Sequence, residues 1–165
     1  MSDDVSYKIY TKDLFIKMMR DIDYSYDVYF RMAVIDEYLK GNEAIWNLYN
    51  KVQYTRINQI SKIPKEMLNH KYEFILLIKN VKDNGFNFDN PLLVNEQYMV
   101  IDGAHRMACA LYFNIPEISI YTNKKYKKFI PNEYTKSWFV NNSLMECLPY
   151  AEKQKKKIKE EWDYV

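Results

Sequence analysis

The 165 residues, 48% of them hydrophobic, are enough to bury a core as one domain and too apolar for a disordered chain. A net charge of only +2 speaks against a chain dominated by nucleic-acid contacts, and two cysteines exclude a disulfide framework or a cysteine-rich zinc site. The acidic start Met1-Ser2-Asp3-Asp4 lacks a secretory pattern, and no apolar run approaches the ~20 residues that span a bilayer. The expectation is a soluble cytoplasmic protein that does not engage membranes.

In chain order, the first fifty residues read as helical. Thr11 caps a helix carrying Leu14, Phe15, Met18, Met19 and Ile22. A second helix runs from about Tyr26 to Lys40 and stops at Gly41; Asn42 then caps a third that turns Ile45, Trp46 and Tyr49 inward. A strand is expected over Gln53–Ile57. After Pro64 a helix places Phe74, Leu77, Ile78 and Val81 on one face and ends at Asn84-Gly85. Pro91 introduces the strand Leu92-Leu93-Val94, and Tyr98–Ile101 returns as its hairpin partner. A helix starting at the next turn repeats Ala104, Met107, Ala108 and Leu111, stops at Asn114, and leads to a strand over Ile118–Tyr121. The lysines at 124, 125, 127 and 128 read as a solvated loop. A short helix around Tyr134–Phe139 and a polar helix over Pro149–Trp162 follow, with Trp138 and Phe139 packing this segment on the domain. The fold class is α/β (α+β), a small mixed sheet with helices, in three parts: a helical extension over 1–52, a core over 53–122 and a C-terminal helical segment over 123–165.

The segment Ile101-Asp102-Gly103-Ala104-His105-Arg106 carries the chemistry. A helix that begins directly after a strand presents unpaired backbone N–H groups and the positive end of its dipole, a natural phosphate cradle. Gly103 lets backbone approach a ligand closely, Arg106 can clamp phosphate oxygens, and His105 can donate hydrogen bonds. Asp102, at the strand's end, can hold a metal ion or accept a proton. His70 reads as a surface residue without a role.

The run Pro91–Val94, then Tyr98–Ala108 with its Asp-Gly-x-His-Arg element, and the continuation through Ile115-Pro116 to Ile118 resemble the core of the ParB/sulfiredoxin superfamily, over roughly Gln53 to Tyr121. The resemblance implies that Gly103, Ala104, His105 and Arg106 contact nucleotide phosphate. Within the superfamily, sulfiredoxins carry a cysteine where this chain has Ala104, which removes their repair chemistry. ParB partition proteins add a DNA-reading helix-turn-helix and a dimerisation region, for which the stretch after Tyr121 is too short. Free-serine kinases have Asp-Gly-x-x-Arg at the junction, reproduced by Asp102, Gly103 and Arg106. They also need a carboxylate base near the end of the first strand, where this chain offers Asn58 and Gln59, with Glu66 further on. ParB-like proteins of bacterial surface-polysaccharide clusters share the Gln53-x-x-Arg56 pair, which implies a substrate-binding role for Gln53 and Arg56.

The resulting expectation is a small-molecule kinase. It would transfer phosphate from ATP or ADP, with CTP also allowed for, to a hydroxyl of a sugar- or amino-acid-like metabolite in surface-polysaccharide biosynthesis. Asp102 and His105 would be catalytic, and Asp102 would hold Mg²⁺. A homodimer is allowed for, and no sequence-specific DNA binding is expected. The alternative is a ParB-like nucleotide-sensing or DNA-associated module without kinase activity.

Overall fold

A computed structural model describes residues 5–18, 26–60, 70–96, 98–122 and 135–162. Four strands, β1 (Val5–Tyr10), β2 (Leu92–Val94), β3 (Val100–Asp102) and β4 (Glu117–Thr122), form one mixed sheet in the order β1-β4-β2-β3. Among the described residues seven α-helices accompany it: α1 (Thr11–Met18), α2 (Tyr26–Leu39), α3 (Ile45–Ile60), α4 (His70–Asn84), α5 (Ala104–Tyr112), α6 (Lys136–Asn141) and α7 (Leu148–Trp162). The class is therefore α+β with a small mixed sheet. The stretch after Pro64, where the sequence expectation begins a helix, and the lysines at 124–128 lie outside the described residues. Among those described, no helix is long and apolar enough to cross a membrane.

The hairpin β2–β3 is antiparallel, and Asn95 fixes its turn. Its backbone N–H donates to the Met99 carbonyl at 3.0 Å, while its fully buried side-chain oxygen accepts from the Met99 N–H at 3.0 Å. The chain passes from β3 to β4 through α5, and β4 lies parallel to β2 and hence opposite in direction to β3, with Leu92 opposite Ile120. On the other side of β4, β1 pairs antiparallel from Val5↔Thr122 to Tyr10↔Glu117.

Two segments differ from the sequence expectation. The first strand of the sheet comes from Val5–Tyr10, not from Gln53–Ile57. Val5, Tyr7 and Ile9 do alternate with Ser6, Lys8 and Tyr10, but β1 is an edge strand with Tyr7 and Tyr10 exposed, so its inward face carries little apolar contrast. Residues 53–57 continue α3 instead. The buried positions Ile45, Trp46, Tyr49, Val52, Gln53 and Arg56 follow a helical spacing. The last two are polar, which hides the period from a hydrophobicity pattern.

At the centre lies α2, buried at every position from Tyr26 to Asp36, as a helix must be when other elements enclose it on all sides. It packs against α3, α5 and α7. The rings of Tyr26 and Phe30 meet Phe139 of α6 edge-on, with centroids 5.7 and 5.9 Å apart, which ties α6 to α2. Within this core, Arg31 forms a buried ion pair with Asp27 one turn earlier. Burial pushes the Asp27 carboxyl above its ordinary range, against the downward pull of Arg31 and Arg56.

Removing one partner of a buried pair strands the other charge. Arg31→Met is expected to destabilise the fold by about 3 kcal/mol, and Asp27→Asn/Arg31→Met to recover a substantial part of that loss. Urea denaturation of both variants checks this; equal stability of Arg31→Met and wild type would contradict it.

Candidate functional site

The strand–turn–helix junction forms as the sequence suggests. β3 ends at Asp102, Gly103 takes φ +110°, and α5 begins at Ala104, with the Met107 N–H closing the first helical bond to the Gly103 carbonyl at 2.8 Å. Glycine is required here on two counts. An L-residue at this φ is strained, and a Cβ would lie 2.5 Å from Leu92 Cδ2 and 2.9 Å from Arg106 Nη2. No side chain caps the helix, so its first-turn amides are left for solvent or a ligand.

The junction opens into a cavity of about 240 Å³, below the ~300 Å³ at which whole small-molecule sites begin, and suited to a phosphate or the end of a larger ligand. One wall comes from Asp102, Gly103, His105 and Arg106; the other comes from Tyr49 of α3 and from His70, Glu73, Phe74 and Leu77 of α4. His70, Glu73, Phe74 and Leu77 are spaced i, i+3, i+4 and i+7, so one face of α4 supplies them all.

His105 is enclosed by aromatic rings. The Phe74 ring centroid lies 4.7 Å away and that of Tyr49 5.9 Å, both edge-on, and the Tyr49 hydroxyl is 2.9 Å from His105 Nε2. Burial holds the imidazole well below its ordinary pKa, and the charges of Arg31, Arg56 and His70 push the same way. His105 is thus neutral at physiological pH and can offer the cavity a hydrogen bond but no charge. Burial likewise raises the Tyr49 hydroxyl far above its usual value, so it stays protonated.

Arg106 supplies the positive charge on this wall. Its Nη1 donates to the backbone carbonyls of Asn90 and, at 3.3 Å, Pro91, tying α5 to the loop that leads into β2. Its Nη2 lies 4.0 Å from Asp102 Oδ2. Burial draws the guanidinium pKa down and Asp102 pulls it up; it remains a cation. The Asp102 side chain is 80% exposed at the cavity mouth.

Gln53 and Arg56 do not border the cavity. They lie one turn apart on α3, both buried, and Arg56 Nη1 donates to Gln53 Oε1 at 2.8 Å. Gln53 Nε2 in turn lies 2.9 Å from His70 Nδ1, so the pair stands behind His70. The strand placement on which their direct substrate contact depended is not adopted, because these residues belong to α3. Ala104 is buried at the first position of α5, where only its backbone can meet a ligand.

Tyr49, His70, Glu73, Phe74 and Leu77 were not foreseen as cavity residues. Phe74 and Leu77 appear in the sequence as members of an apolar stripe, and that stripe already places His70 and Glu73 one turn further back on the helix. Comparisons with protein-family models, curated proteins and solved structures each find no match to this chain.

The depressed pKa of His105 has a signed consequence. Above the unfolded value near 6.5 the imidazole is neutral in both states. Below it the unfolded chain takes up a proton that the native state refuses, so stability falls with pH by up to about 1.4 kcal/mol per unit until the native value is reached. Urea unfolding between pH 7.5 and 5 should show this slope in wild type and a shallower one in His105→Gln. Parallel curves for the two proteins would contradict a neutral, enclosed His105.

Proposed function

We propose that this protein is a small-molecule kinase that binds the phosphates of ATP or ADP at the Gly103–Arg106 junction and transfers the terminal phosphoryl group to a hydroxyl. One observation carries the reading: an uncapped helix N-terminus and the Arg106 cation share a 240 Å³ cavity with a carboxylate, Glu73, from a different helix. Phosphoryl transfer relies on positioning and charge stabilisation, so such an arrangement can serve it with few specialised groups.

In this scheme the amides of Ala104 and His105 and the Arg106 guanidinium bind phosphate oxygens. Glu73 accepts the proton of the acceptor hydroxyl as its oxygen attacks phosphorus, and the bond to the departing ADP or AMP breaks in line. The proton then passes from Glu73 to water. Neutral His105 can hydrogen-bond the reacting group without fixing a charge there. The carboxylate that the resemblance to free-serine kinases calls for comes in this reading from α4, not from the end of a first strand.

The kinase reading also calls for Mg²⁺. Asp102 and Glu73 both border the cavity, and Mg²⁺ commonly takes one or two carboxylates with phosphates and waters completing its octahedron, so the donors fit. Asp102, whose side chain is 80% exposed beside the junction, would hold the ion. Mg²⁺ would neutralise charge on the transferring phosphoryl group.

The acceptor in this reading is a compact hydroxyl compound, such as a sugar- or amino-acid-like metabolite, presenting its hydroxyl at the mouth beside Glu73. ATP or ADP with Mg²⁺ is expected to raise the melting temperature of wild type. Glu73→Gln should keep nucleotide affinity within a few-fold and lower turnover by about 10²–10⁴-fold, the scale of general-base catalysis. Thermal shift, with a phosphate-transfer assay against pooled hydroxyl metabolites, checks both. Binding without turnover on any pool would favour the nucleotide-sensing module, and no thermal response to millimolar ATP, ADP or CTP would overturn nucleotide binding itself.

A further inference from the structure

A chain of buried hydrogen bonds runs from α3 to the cavity wall and dictates where one proton sits. Arg56 has only N–H donors, so the Gln53 side-chain atom 2.8 Å from its Nη1 must be the acceptor Oε1. That orientation aims the Gln53 amide nitrogen at His70 Nδ1, 2.9 Å away. An amide NH₂ can only donate, so Nδ1 must carry a lone pair. The proton of the neutral ring is then on Nε2.

The chain cannot reverse cheaply. Arg56 is buried, with its guanidinium 5.5 Å from the Trp138 ring centroid, and Gln53 is buried too. Flipping the Gln53 amide would set N–H against N–H at Arg56, away from water. His70 is the residue of this chain that reaches the cavity, where it stands one turn before Glu73 on the same helix face.

We propose that His70 donates its Nε2–H to the terminal phosphate held in the cavity, and that Gln53 and Arg56 are positioning residues that fix the tautomer able to do so. This rests on the phosphate reading of the junction and deepens it. The anion would be gripped from two sides, by the α5 amides and Arg106 on one wall and by His70 on the other. It also gives the Gln53–Arg56 pair a role without direct substrate contact.

The test has two independent readouts. Long-range ¹H–¹⁵N NMR distinguishes protonated from unprotonated imidazole nitrogens, and the chain has only two histidines, so loss of one set of signals in His70→Phe assigns them. Wild type should carry the His70 proton on Nε2, while Gln53→Glu, which can only accept at that position, should put a proton on Nδ1. In calorimetric titration with ATP–Mg²⁺, His70→Phe should bind about tenfold more weakly than wild type, whereas His70→Gln, whose amide reaches the place of Nε2, should stay within about threefold. A wild-type His70 protonated on Nδ1, or wild-type affinity in His70→Phe, would overturn the inference alone. Failure of wild type to bind ATP–Mg²⁺ would instead overturn the phosphate reading and this inference with it.

Discussion

Gly103 is the point on which the arrangement turns. Its backbone, at φ +110°, converts the end of β3 into the start of α5 within a single residue, and the space a Cβ would need is taken by Leu92 and Arg106. Leu92 is fully buried in β2, the strand between β4 and β3, so it has little freedom to yield. α5 leaves this turn to pack against α2 and α4, which brings His105 against Phe74 and Tyr49. A larger residue at 103 would therefore disturb the sheet edge, the helix direction and the cavity wall together.

Behind that wall lies a second constraint, electrostatic in nature. Arg31 and Arg56 are both buried near one buried carboxylate, Asp27. The two guanidinium groups act on Asp27 and on His105 alike, opposing the effect of burial on the first and reinforcing it on the second. A neutral His105 follows from these charges together with its aromatic enclosure. The same positive charge behind the wall favours an anion in front of it, an effect that water screens little inside a core. The hydrogen bond from Arg56 through Gln53 to His70 lets this interior order one more group at the surface of the cavity.

The junction was legible in the sequence because its signals are local. A glycine between an apolar strand and a helical repeat, followed by His105 and Arg106, needs no knowledge of distant contacts, and β2, β3, α5 and β4 were found for the same reason. β1 was missed because an edge strand with exposed tyrosines shows little hydrophobic alternation. Gln53–Ile57 was misread because Gln53 and Arg56 occupy inward positions of α3, where a pattern based on apolarity finds nothing. Their burial becomes intelligible only once Arg31, Asp27, Trp138 and His70 are near, and those contacts span large separations in the chain. His70 and Glu73 carry a helical spacing that was visible, but their facing a cavity depends on α5 lying across α4. The cavity is a tertiary product, and its opposite wall could not be inferred from the junction alone.

The central claim is that phosphate is held by the first turn of α5. Backbone amide NMR during titration with ATP–Mg²⁺ tests it most directly, because an amide that donates to a phosphate oxygen moves strongly to lower field. The account predicts the largest shifts at Gly103, Ala104 and His105, saturating together, with a smaller response along the facing turn of α4 at His70 and Glu73. Shifts concentrated elsewhere, for example around another cavity, lined by Tyr10–Asp13 and Asn114–Pro116, or no shifts at saturating nucleotide, would contradict it.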